Sequence, residues 1–361
     1  MGPGFFDAED RLKALSAAGD PLEKLRSVVD FELFRSELDA ALARGDRSKG
    51  GRPPYDPVLM FRVLVVQTLY TLSDDQTEYQ IRDRLSFMRF VGLELHDRVP
   101  DAKTIWLFRE MLVKAGAFER LFKRFDAMLR VKGWLAMGGQ IVDATVIEAR
   151  RPRLSRDEKT TIKGGGTPAG WSRAKAAQMD RDGRWTIKRG RKAPKPGAEG
   201  PVKSEAGQSQ LLTPYFGYKN HVGIDREYGF VRTFKVTPAS AHDGAQLGEI
   251  IDPANTAATV WADTAYRSKA NLAMLAKRNL KEAIQRPKPR GKPMPANIGR
   301  GNAARAKVRC HVEHVFAAQK HRIGLIVRTV GIARARAKIA LANLAYNFQR
   351  LAWLQGRNAP A

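Results

Sequence analysis

The segment RCHVEHVFAAQK (309–320) holds one glutamate, Glu313, between two cations, Arg309 four residues before it and Lys320 seven after. On a helix those offsets bring three side chains to one face. Two aspartates upstream stand in apolar surroundings: Asp143 in QIVDATVIEA (140–149) and Asp263 in TAATVWADTAY (256–266). Two aspartates and a glutamate brought together repel unless a divalent cation neutralises them, and oxygen-only ligands favour Mg2+ or Mn2+. Such a trio holding two ions fits phosphodiester chemistry: one ion activates a water or a 3′-hydroxyl, and the other stabilises the leaving oxygen. Each acid also has a plainer reading. A strand-end aspartate often caps a turn, and a helical glutamate beside an arginine makes a surface pair of little worth.

Other side chains also admit a functional and a plainer reading. His311, His314 and His321 cluster around Glu313, but HVEH lacks the one-turn spacing of a zinc-binding HExxH. Local helix polarity is the simpler reading. Lys219, Asn220 and His221 close a strand and either approach DNA or supply strand-end polarity. Asp243 is placed to cap the start of a helix. Trp171 and Trp185 lie among basic residues, a combination that stacks on unpaired bases or packs on its own domain. Cys310 is the only cysteine, which excludes a disulfide framework and a cysteine-based zinc site; it reads as a small packing residue.

The elements that must carry these residues follow from pattern. The first ~135 residues are predicted helical by their caps and period. Asp56-Pro57 opens an apolar helix to about Leu72, and SDDQ (73–76) begins the next. A further helix from about Thr104 stops at Gly116, and AFERLFKRFDAMLRVKG (117–133) continues the helical period. A helix-turn-helix among them is one possibility, a plain bundle the other. QIVDATVIEA alternates as a strand buried on both faces. YFGYKNHVGID (215–225) and YGFVRTFKVTP (228–238) read as adjacent strands joined by a tight turn at Asp225–Gly229. Then come a helix at 242–252, a strand ending at Asp263, a helix capped by Ser268, a short strand KEAIQ (281–285) and a helix from about Ala304 bearing Glu313. A last helix near 334–354 has the stripe Leu341, Leu344, Phe348, Leu351. Residues 150–213 lack an apolar period and read as a long, partly disordered basic insertion, and RPKPRGKPMPANIGRGNAAR reads as a basic linker. The fold class is therefore α/β, a mixed sheet with flanking helices after an all-helical N-terminal region. The expected divisions are 1–135 for DNA binding or dimerisation, 136–328 for catalysis with the insertion at about 150–213, and 329–361 for the C-terminal helix.

Charge points to the partner. Of 361 residues, 63 are Lys or Arg against 37 Asp or Glu, a formal charge of +26, which suits a polyanion such as nucleic acid. The N-terminus lacks a signal peptide's basic-then-apolar order. The longest apolar run, PVLMFRVLVVQTLYTL (57–72), is too short to span a bilayer and contains Arg62. The expectation is a cytoplasmic, nucleoid-associated protein without membrane contact.

Several blocks together resemble the bacterial insertion-sequence transposases of the DDE class, in the broad insertion-sequence-five family, nearly end to end. GGRPPYDPVLMFRVLVVQTLYTLSDDQTEYQIRDRLSFMRFVGL (50–93) and VPDAKTIWLFRE (99–110) are similar to its N-terminal region. IVDATVIEA, VWADTAYRS (260–268) and VRCHVEHVFAAQK (308–320) resemble the blocks carrying its three acids, at Asp143, Asp263 and Glu313. DRDGRWTIK (180–188), FGYKNHVGID (216–225) and TPASAHDG (237–244) resemble its central blocks, and GIARARAKIALANLAYNFQRL (331–351) its closing helix. The family's third block often reads Tyr-x2-Arg-x3-Glu-x6-Lys. Arg309, Glu313 and Lys320 match its last three places, but Ala306 stands where the tyrosine would fall. The resemblance implies a ribonuclease-H-like core and two Mg2+ or Mn2+ ions on the three acids. It implies terminal inverted repeats and target DNA as partners, with Arg309 and Lys320 near DNA; Lys219 and His221 join them as DNA contacts on the strand-end reading alone. The reaction implied is cleavage at the element's ends and joining of the freed 3′-hydroxyls to target DNA by a homodimer. The alternatives are a metal-dependent nuclease that does not join strands, or a DNA-binding regulator without catalysis.

Overall fold

A computed structural model describes residues 7–42, 53–190 and 211–358. The N-terminal region is helical, as the caps predict. Asp56 accepts from the amides of Val58 and Leu59, and Pro57 opens the helix Pro57–Leu69. Ser73 and Gln76 form a reciprocal capping box at the start of Asp74–Asp83. Asp101 caps Ala102–Lys114, and left-handed Gly116 separates that helix from Ala117–Val131.

The sheet has six strands: β1 (Gln140–Glu148), β2 (Arg184–Gly190), β3 (Leu211–Asp225), β4 (Val231–Pro238), β5 (Thr259–Ala262) and β6 (Lys281–Ile284). Their order is β2-β3-β1-β5-β6, with β4 also on β3. Strand β3 runs antiparallel to both of its neighbours β1 and β4, whereas β5 runs parallel to β1, and β6 to β5. Setting β2 aside, this order, with helices on both faces, is the ribonuclease-H-like arrangement. At 15 residues, β3 serves two partners on one edge, β2 along 211–217 and β4 along 218–224. The change-over is at Gly217, whose φ of 150° disfavours a side chain; a Cβ there would lie 2.3 Å from the Ile147 carbonyl oxygen of β1.

Sheet alternation sends neighbours to opposite faces. Ile141 packs with the N-terminal helices and with Val312, Val315 and Phe316, while Val142 packs on the other face with Leu247, Ile250 and Tyr266. The helix Ile332–Asn358 lies over β4 and also against the helices Pro21–Val28, Pro57–Leu69 and Ala117–Val131. Its predicted stripe Leu341, Leu344, Phe348 and Leu351 is buried, and Phe348 meets Phe31, Phe34 and Phe125 in one aromatic cluster.

Two expectations are corrected. The segment 150–213 is not a featureless insertion where it is described. Helices Arg156–Lys163 and Arg173–Gln178 form there, the first closed by a Ser155–Glu158 capping box, and Arg184–Gly190 is a full sheet strand. Capping and strand pairing hold it where an apolar period is lacking; residues 191–210 of the predicted insertion lie outside the described residues. The predicted basic linker also ends early, because a helix already begins at Ala296.

Candidate active site

Asp143 stands mid-strand in β1, opposite Val222 of β3. Strands β1 and β5 pair in parallel with Ile141 beside Trp261. Two residues further along each strand are Asp143 and Asp263, so the register sets the two acids side by side at the carboxyl end of β5. Asp263 begins a short turn there, its Oδ1 accepting from the Ala265 amide at 2.8 Å. Glu313 lies on the helix Val312–Ala317, which packs on β1 over the same face as Ile141 and Asp143.

Burial pushes the Asp143 carboxyl up to about 6. The Ala144 amide and Arg309 favour its charge, and the negative charges of Asp263 and Glu313 oppose it. Arg309 makes the compensating contact, its Nη1 donating to Asp143 Oδ2 at 2.5 Å, and both side chains are mostly shielded. The Glu313 carboxylate forms no hydrogen bond or ion pair among the described residues. Nor do any three His, Cys, Asp or Glu side chains there close into a ligand shell as placed. Asp263 and Glu313 are thus electrostatic neighbours of Asp143, which has a guanidinium against it.

Arg309, Glu313 and Lys320 do not share one unbroken helix, as their spacing predicts. The helix Ala296–Arg309 ends, and Glu313 and His314 then bond three residues back, to Cys310 and His311. A six-residue helix follows, and Ala318–Arg322 is one turn of π-helix containing Lys320. Neither glycine nor proline marks these breaks in the sequence. Desolvation and Lys188 of β2 lower the Lys320 amine, while Glu313 and Glu148 act the other way, so Lys320 lies within electrostatic reach of Glu313. The π turn is fastened from behind by a buried amide cluster. Asn220 of β3 donates to Gln319 and Asn343, and Gln319 donates to Asn343 at 2.6 Å.

The remaining candidates separate. His221 is fully buried, its Nε2 2.8 Å from Thr237 Oγ1, and burial lowers its imidazole to about 4, so contact with DNA by His221 does not fit its place. Lys219 is largely enclosed too, with its amine 2.8 Å from Asp243 and donating to the Ala241 carbonyl. Asp243 therefore pairs with Lys219 and makes no cap hydrogen bond, contrary to expectation. Trp171 donates to Glu158 at 2.6 Å within its own loop. Trp185 lies on β2, its ring exposed beside Phe216. Cys310 is exposed, not packed. His311, His314 and His321 line a cavity that also receives Arg226, Arg322 and Arg350, a gathering that no motif signals. The buried Tyr266 hydroxyl, unpartnered among the described residues, is another feature without a motif; burial and the charges of Asp143, Asp243 and Asp263 push it up.

Two family models match the chain. One, described as Transposase domain (DUF772), covers residues 10–111, and the other, described as Transposase DDE domain, covers residues 134–348, more than half of the chain. No solved structure gives a significant match. Among the described residues no helix is long and apolar enough to cross a membrane.

Proposed function

The chain belongs to the DDE transposase family, enzymes that act on DNA, and from that premise we propose that it cuts DNA at insertion-sequence ends and joins the freed 3′-hydroxyls to target DNA. The observation that carries the reading is the register placing Asp143 beside Asp263, with the Glu313 helix packed on the same face. The family generally uses divalent metal. The fit here rests on the donors: three carboxylates, the first of them strongly disfavoured as an anion and already drawn to a cation, Arg309. Asp143, Asp263 and Glu313 would hold Mg2+ or Mn2+, two ions in all, which when bound supply an activated oxygen nucleophile and neutralise charge on the leaving oxygen.

The chain's own residues have separate tasks. Asp143 and Asp263, fixed by adjacent strands, set the position of the reacting phosphodiester along the sheet. Glu313 closes the site from the helix. Lys320, near Glu313, draws a DNA phosphate toward the acids, and Arg309 holds Asp143 until a metal ion would take its place and free the guanidinium for DNA. No high-energy cofactor enters, so in-line positioning and charge neutralisation carry the catalysis. Two ends are processed together, so a homodimer on DNA is the working assembly, nucleoid-associated in the cell.

The test uses pre-cleaved terminal-repeat DNA and a supercoiled target in Mg2+ or Mn2+. Joined products are expected, and cleavage without joining overturns the reading. Asp143→Asn is expected to cut strand transfer on the order of 10³-fold while leaving DNA affinity within about twofold. Activity that survives this substitution removes Asp143 from the site.

A further inference from the structure

A cavity of about 720 Å³ lies not between the acids but beside them. Its walls are the turn after β3, the segment bearing Glu313, and the helix Ile332–Asn358. Arg226, Arg322 and Arg350 converge on it from these three elements, with His314 and His321 between them and Glu227 as the one acid in the lining. None of the three arginines has a carboxylate partner among the described residues, whereas many arginines elsewhere are paired, such as Arg89, Arg109, Arg130, Arg232 and Arg334. The Arg350 guanidinium lies 4.4 Å from the centre of the Trp353 ring, which is 49% exposed, and Arg357 lies 5.4 Å from the same ring. That stacking holds the Arg350 guanidinium in the cavity's lining without neutralising it.

Arg350 is held by its Nε, which donates to the Tyr228 carbonyl at 2.6 Å, and a concave set of guanidiniums without carboxylate partners recognises phosphate oxygens. The wall between cavity and acids is the helix Val312–Ala317, which bears Glu313 and, in His314 and Ala317, two lining residues of the cavity. We propose that this cavity binds the sugar–phosphate backbone of DNA irrespective of sequence, holding the strand into which an end is joined against the catalytic face. The inference rests on the transposase reading given above and adds the surface that takes target DNA.

Arg226 and Arg322 suit a test because both are exposed and neither side chain donates a hydrogen bond among the described residues; Arg226 lies 5.2 Å from the centre of the Trp261 ring, so the variant's thermal melt is matched to the parent's before binding is compared. Binding of two fluorescent duplexes of equal length and unrelated sequence is measured by anisotropy, without metal, across a range of salt. For the Arg226→Ala/Arg322→Ala double variant, affinity for both duplexes is expected to fall by the same factor, about tenfold or more at 0.1 M salt. The slope of log affinity against log salt is expected to fall by about two, and Arg322→Lys to keep its share of that slope. Unchanged affinity and slope, or a loss confined to one sequence, overturns the cavity assignment while leaving the catalytic reading standing. A wild-type protein that binds neither duplex overturns both. Because the assay contains no metal, it reports on the cavity even if the protein proves unable to cut.

Discussion

At the scale of single residues, Asp143 couples stability to chemistry. Its carboxyl titrates near 6 in the folded chain against an ordinary 3.8, because burial and two negative neighbours outweigh Arg309. A carboxyl raised in this way keeps its proton longer folded than unfolded. Stability therefore falls as pH rises from about 4 to about 6, and stays lower above that window. Asp143→Asn removes the penalty. In metal-free buffer its Tm is expected to exceed that of the parent above pH 6, by the equivalent of roughly 1–3 kcal/mol, and to converge with it below pH 4. Thermal melts at several pH values check this, and a parent chain more stable than the variant at pH 7 contradicts it. Mn2+ should raise the Tm of the parent and leave the variant nearly unmoved.

At the scale of elements, the segment 309–322 is positioned by what lies behind it. The Asn220, Gln319 and Asn343 amides satisfy one another inside the core, tying β3, the π turn and the closing helix. Asn343→Leu leaves two buried amides without their acceptor, which costs about 2–4 kcal/mol. Urea denaturation should show that loss. Strand transfer should fall further than the unfolded fraction explains, because Lys320 rides on the turn that is released. Much of this level could be read from the chain itself. Asp56-Pro57, the Ser73–Gln76 box and Ser268 announce helix starts, and alternation announces β1, β3 and β4. Strand β2 escaped because its basic sequence, RWTIKRG, owes its strand character to pairing with β3. The break after Arg309 escaped because its cause is tertiary: Arg309 reaches Asp143, 166 residues away in sequence. For the site, Asp143, Asp263 and Glu313 stand out by type and by family resemblance; register sets Asp143 beside Asp263, and helix packing on β1 brings Glu313 to that face. The burial of His221 and the gathering of arginines around one cavity depend on contacts that no local pattern encodes.

At the scale of the whole molecule, the N-terminal helices and the sheet share a single apolar core. Leu22, Phe34, Phe61 and Phe125 are continuous with Ile141, Val222 and Val231 through the closing helix. A chain cut after Thr329 lacks the helix that covers both parts. It is expected to be insoluble or to lose the cooperative transition seen by circular dichroism, and a folded, cooperative product would show that each part closes alone. Asn347 makes the joint specific as well as greasy, since its side chain both donates to and accepts from the backbone of Val231 in β4. The same helix governs the order of events during synthesis. While the ribosome is making the first 330 residues, Phe31, Phe34, Phe61 and Phe125 have no Phe348 to meet, and β4 has no cover. The nascent chain therefore carries the apolar faces that Phe348 and its helix cover unburied until residues 332–358 emerge. Chaperone capture should peak late in translation and end abruptly once that helix docks.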